Sequence, residues 1–175
     1  MKKKRTLSLL LSMIVCIAMV PVAVFATGEG STAVTPAAEP AGVWSDYAAT
    51  DFAGGTGNID DPYQIATAGQ LAKLAADINS GIGEKEYTHS GEYFILTENI
   101  DLSAHRWVPI GYYVINEGHQ FSAYFNGNNK KITGLYVKEE RDDYSAGLFG
   151  AVGGITIENV IIENGYVEAN GQAGI

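Results

Sequence analysis

Mainly β, arranged as a β-helix solenoid with one α-helix at its start, is the fold class that the sequence predicts. Three observations lead there. Around Ile155 to Ile162, apolar residues alternate at Ile155 and Ile157 and again at Val160 and Ile162, which is the period of a strand. The pattern recurs: Ile132-x-x-Leu135-x-Val137 resembles Ile157-x-x-Val160-x-Ile162 at an offset of 25 residues, and Ala146-Gly147-Leu148 resembles Ala173-Gly174-Ile175 at an offset of 27. Self-similarity at roughly 20–50 residues marks solenoids and arrays. The alternative is chance likeness between valine- and isoleucine-rich strands. Finally, only one stretch, from Thr67 to Ile78, has helical periodicity.

Residues 1–26 read as an export signal. Lys2, Lys3, Lys4 and Arg5 form a basic head, Leu7 to Val20 an apolar core, and Val24-Phe25-Ala26 a cleavage site before Thr27. An uncleaved anchor is the alternative, because Thr6 to Phe25 is long enough to span a bilayer. Pro21 and the small residues before Thr27 favour cleavage. The sole cysteine, Cys16, follows the bulky Val15 and so does not suit a lipoprotein site, and the mature chain is expected to hold no thiol. All four basic residues of the head leave with the signal. The remaining seven stand against twenty acidic ones, a net charge of −13. That excludes nucleic acid as a partner, and an anionic membrane surface once the signal is gone.

Residues 27–42 are small, Thr- and Pro-rich and aperiodic, a flexible linker. Residues 43–175 suit one domain. Asp51 to Pro62 is dense in turn formers. Asp60 and Asp61 near Asn58 raise a calcium reading, but their spacing lacks the oxygen ladder of a calcium loop, so a turn capped by Asp is expected. Tyr63 to Ile65 is a short strand. Thr67 and Gln70 then form a capping box, and Leu71, Leu74, Ala75 and Ile78 make one apolar stripe, with Gly81 at the end. Lys73 and Asp77 lie off the stripe and are expected in solvent. A solenoid leaves an open apolar end, and this helix is the candidate lid.

Residues 82–91 read as a polar loop. Tyr93 to Leu96 and Ile100 to Leu102 read as strands bent at Glu98-Asn99, and Trp107 to Gly111 as an apolar corner with Trp107 in the core. Phe121 to Phe125 is the next strand, Asn126 to Asn129 a turn, Lys131 to Val137 a strand, and Lys138 to Asp143 a solvated charged loop.

Several of these pieces together, Asp61 to Ala75, Tyr93 to Ser103, Trp107 to Gly111, Phe125 to Val137 and Ala146 to Gly150, resemble the GLUG-repeat proteins of bacterial surfaces. The Gly-Leu-hydrophobic-Gly motif of that family is matched by Gly147, Leu148, Phe149 and Gly150. The resemblance covers roughly residues 51–175. It implies a right-handed parallel β-helix in a long, exported, adhesin-like protein. Related repeats also stand beside the catalytic region of immunoglobulin-A-cleaving metallopeptidases. The family has no catalytic residues of its own to transfer.

The residues point the same way. His89, His105 and His119 are the only histidines, and none stands in His-Glu-x-x-His. No Gly-x-Ser-x-Gly and no phosphate-binding glycine loop occurs. Asp142 and Asp143 are adjacent, unlike the opposed pair of a glycosidase. The expectation is a non-catalytic module with no cofactor or metal, secreted or on the surface of a bacterium, and engaging a protein or glycan ligand. Tyr112, Tyr113, Tyr124, Tyr136 and Tyr144 are its candidate contact residues. The alternatives are a β-helix enzyme acting on acidic polysaccharide and an accessory region of a surface peptidase. Because the second copy of Ala146-Gly147-Leu148 only begins at Ala173, the chain is expected to be the start of a longer repeat protein, with an exposed coil end that self-associates.

Overall fold

The computed structural model describes residues 38–80, 89–114, 117–142, 144–154 and 156–174. The expected signal at 1–26, most of the linker, Gly81 with the loop that follows it, Asp143, Ile155 and Ile175 lie outside the described residues. Strands dominate the rest, with one α-helix and mostly parallel pairing.

After a 3-10 turn at Trp44–Tyr47 come β1 (Tyr63–Ile65) and α1 (Ala68–Asn79). Then follow β2 (Tyr93–Leu96), β3 (Ile100–Asp101), β4 (Tyr112–Val114) and β5 (Glu117–His119). A third group holds β6 (Tyr124–Asn126), β7 (Lys131–Thr133), β8 (Tyr136–Glu139) and β9 (Ser145–Ala146). The last is β10 (Ile157–Glu158), β11 (Ile161–Glu163), β12 (Tyr166–Ala169) and β13 (Gln172–Ala173). Four tiers follow from the pairing: β1; β2 and β3; β6 to β9; β10 to β13. The parallel sheets run β1-β2-β6-β10, β3-β7-β11, β8-β12 and β9-β13. Only β4 and β5 pair antiparallel among the named strands.

Register shows which side chains stack. Tyr63, Phe94, Phe125 and Ile157 align down the first sheet. Ile100, Ile132 and Ile162 align down the second, and Val137 pairs with Val167 in the third. The expected match of Ala146 with Ala173 is observed. The offset of 25 is not: Ile132 pairs with Ile162, 30 residues on, whereas Ile157 pairs with Phe125. Strands on different sheets of one tier share the same alternation, so a text match pairs the wrong ones. The backbone hydrogen bonds choose, as when Phe125 N–H donates to Thr156 O at 3.0 Å.

The stacked apolar residues form one core with no buried polar side chain among the described residues. Phe94, Phe121, Phe125, Ile100, Ile132 and Leu135 are fully buried in it. The helix adds Leu71, Ala72, Leu74, Ala75 and Ile78 to the same cluster. Thr67 Oγ1 accepts the Gln70 N–H at 3.2 Å, as a capping box requires. The Gln70 side chain instead reaches Ala66, whose N–H donates to Oε1 at 2.8 Å. At the far end, the Asn79 amide donates to Pro109 O at 2.9 Å and accepts the Gly111 N–H at 2.9 Å, tying the helix to the Trp107 corner. Trp107 is buried, as its neighbours predicted, and its indole N–H donates to Leu148 O at 3.0 Å.

Several local expectations change. In the turn before Pro62 the cap is Asn58, whose side-chain oxygen accepts the N–H groups of Asp60 and Asp61. Lys73 and Asp77 are partly covered and paired at 2.9 Å, because His89 closes over Asp77. Phe121 makes only a bridge to Val152, and its strand begins at Tyr124. Gly134, at φ +66, breaks the expected strand from Lys131 to Val137 in two. A Cβ there would lie 2.7 Å from the Ser103 side chain. Lys138 and Glu139 complete β8 instead of opening a loop. Ala41 and Gly42, in the expected linker, already bond to His105 and Arg106.

Candidate ligand-binding surface

The Gly147-Leu148-Phe149-Gly150 motif sits where the Trp107 corner meets the third tier. Leu148 is buried, and its carbonyl accepts both the Trp107 indole and the Ile110 N–H, each at 3.0 Å. Phe149 packs its ring 5.1 Å from Phe121 and 5.4 Å from Phe125. The two glycines are required by close backbone approach. A Cβ on Gly150 would stand 2.4 Å from Gly111 O, and one on Gly147 would stand 2.6 Å from Gly174 O. The motif is therefore a joint between tiers. Its far side is open: an apolar cleft of about 600 Å³ is lined by Leu148, Phe149, Ile157, Val160 and Ile162. Ile157 is 37% exposed there, whereas Phe125 above it is buried.

The five tyrosines do not form one surface. Tyr136 is buried and stacks on Tyr166, whose hydroxyl donates to Glu168 at 2.5 Å. That carboxylate pushes the Tyr166 pKa up to about 12. Tyr112 stacks on Tyr144 at 5.7 Å, and the Arg141 guanidinium lies 3.4 Å from the Tyr144 ring centre. Arg141 also holds Glu139 through two hydrogen bonds of 2.7 Å, which keep that carboxyl below its ordinary range. These groups border a cavity of about 290 Å³ with Asn79 and Pro109. Tyr113 is 58% exposed on the β4–β5 hairpin.

Tyr124 is the most informative of the five. It stacks on Tyr93 with ring centres 4.3 Å apart and planes within 6°, on the outer face of the β1-β2-β6-β10 sheet. A cleft of about 340 Å³ there is lined by Ile59, Pro62, Ile95, Asn126 and Glu158 beside the two rings. Ile59 is 68% exposed at its rim. Aromatic rings with an amide and a carboxylate alongside suit a sugar or a peptide side chain, and no basic residue lines the cleft. Tyr93 was missed by sequence reasoning. Its separation of 31 residues from Tyr124, the spacing of the tiers in that sheet, was the available signal.

The histidines have structural settings. His105 stacks on Tyr47 at 3.9 Å and contacts Ala41 O at 2.8 Å. His119 lies edge-on to Tyr112. His89 is held by Asp77 at 3.1 Å and by Glu92, among the rings of Phe52, Tyr63 and Phe94. Burial alone would lower the His89 pKa, but the two carboxylates outweigh it and hold it above the ordinary value. Burial alone would likewise raise Asp77, yet His89 and Lys73 hold it below its ordinary value. Among the described residues no three of His, Cys, Asp and Glu converge as metal ligands, and no helix is long and apolar enough to cross a membrane.

No protein-family model and no solved structure matches the chain. It is similar to a protein of Evansella cellulosilytica named "Putative Gly-rich membrane protein", with 33% identity over 119 residues. The match takes in 65% of this chain but 12% of the relative, so the chain spans about an eighth of that protein's length.

Proposed function

We propose that the tiers are coils of a right-handed parallel β-helix of the GLUG type, and that the chain is a non-catalytic exported module of a bacterial surface protein. The observation that carries this reading is the in-register stacking of Phe94, Phe125 and Ile157 and of Ile100, Ile132 and Ile162, with one tier set on the next. The similarity to a longer Gly-rich protein named for a membrane supports it, as does the Gly147–Gly150 motif at the joint between tiers. On this reading α1 closes the start of the coil, and the outward Tyr93–Tyr124 cleft meets an extracellular glycan or protein.

A glycan-array screen of the purified chain against its Tyr124→Ala variant tests the ligand side. Binding of neutral glycans that is lost in the variant is the expected result. No difference between the two on any glycan or extracellular-matrix protein would overturn it. Incubation with pectin-like polymers, with and without calcium, separates this function from the enzyme reading. Unsaturated or newly reducing ends would establish catalysis instead.

A further inference from the structure

The fourth tier ends the described strands with a free edge. Each of β10, β11, β12 and β13 is paired on one side only among the described residues. Beneath them lies the 600 Å³ apolar cleft. Unpaired backbone groups beside an apolar floor are a template for strand addition, so the question is what adds.

Charge decides it. Residues 156–174 contain Glu158, Glu163 and Glu168 and no lysine or arginine. The tier above answers each of them. Lys131 Nζ stands 2.8 Å from Glu163, Lys138 pairs in register with Glu168, and the Asn126 amide donates to Glu158 at 2.9 Å. Strand neighbours in a sheet lie about 4.8 Å apart, so the same glutamates also face the position of the next strand. A second copy docking by its own fourth tier would set six glutamates along one joint, and like charges placed opposite one another destabilise a sheet.

We propose that this edge takes a strand-forming polypeptide that alternates apolar residues and carries lysine or arginine opposite Glu158, Glu163 and Glu168, and that it rejects a second copy of the chain. The proposal rests on the reading of the tiers as coils.

The probe is a fluorescent peptide with the sequence of residues 121–139, whose own strands already lie against this tier from the other side. Its control has glutamate in place of Lys130, Lys131 and Lys138. Fluorescence anisotropy with the purified chain should show the first peptide binding in low salt, with affinity falling on the order of tenfold in high salt, and the control not binding. The combined Glu158→Gln, Glu163→Gln, Glu168→Gln variant should bind the peptide on the order of tenfold more weakly. It should also begin to self-associate in sedimentation, while the parent chain stays monomeric. Equal binding of the two peptides, or dimerisation of the parent chain at low salt, would overturn the proposal. A disulfide test keeps it apart from the coil reading. Thr133 and Glu163 are register partners, so the Thr133→Cys, Glu163→Cys variant should cross-link on oxidation. Cross-linking without peptide binding defeats the strand-docking proposal alone. Failure to cross-link defeats both.

Discussion

Gly150 shows how a single missing side chain fixes the motif. Its backbone is not in the left-handed region, so the demand for glycine comes from Gly111 O, 2.4 Å from where a Cβ would sit. Gly150→Ala should therefore cost about 2 kcal/mol, roughly 4–8 °C in melting temperature. Gly174→Ala is the control, because nothing lies within 4 Å of its added Cβ, and it should melt like the parent. Comparable melting of the two variants would show that the Gly111 contact is not what Gly150 serves. His89 makes a second local argument, through pH. Its raised pKa means that its stabilisation is fully present below about 6.5, its ordinary value, and is lost as pH rises through the raised folded value. Asp77 is lowered, so its share is present above about 3.9 and is lost as pH falls through its folded value. The pair is strongest between those limits. His89→Gln should destabilise by about 1–2 kcal/mol near pH 5.5 and by clearly less near pH 9, as read from urea unfolding at each pH. A pH-independent difference would mean that His89 acts only through its packing against Phe52, Tyr63 and Phe94.

The helix α1 depends on burial more than on its caps. Leu71, Leu74 and Ile78 are fully or nearly fully buried against the strand core. Leu74→Asp would set a carboxylate in that core without a partner, at about 3–5 kcal/mol, lowering the melting temperature by upwards of about 10 °C. Thr67→Ala removes one cap bond and should cost only about 1 kcal/mol. Thermal melts of the two variants rank them, and a mild effect of Leu74→Asp would show that the helix is not held through this face. The strands behave differently. Most are two to four residues long, and none could hold its place without the tier beside it. Asparagines make the corners between them. Asn128, Asn129 and Asn159 adopt positive φ, Asn99 accepts the Lys131 N–H at 2.9 Å, and the Asn128 amide donates to Leu96 O at 3.1 Å. The turn expected at Asn126 to Asn129 thus also bonds the tiers to one another.

Taken together, the described tiers are held by apolar stacking and backbone pairing, and the acidic groups near Pro62 are engaged in a turn centred on Asn58. Millimolar calcium should therefore leave the melting temperature unchanged, and a large rise would reveal a site that stabilises the folded state by binding it. The alternation of apolar residues, the helix with its Thr67 cap, the buried Trp107, the Asn126 turn and the match of Ala146 with Ala173 were all legible in the sequence. Each depends on neighbours within a few residues or on a repeat of identical letters. The pairing of Ile132 with Ile162, the Tyr93–Tyr124 stack, the closure of His89 over Asp77 and the acidic free edge were not. Each joins residues 12 or more positions apart. Strands on every sheet of a tier share the same period of two, so local pattern gives no face and no register. The hydrogen bonds and the apolar stacking between tiers supply both, and they exist only once the chain has returned on itself.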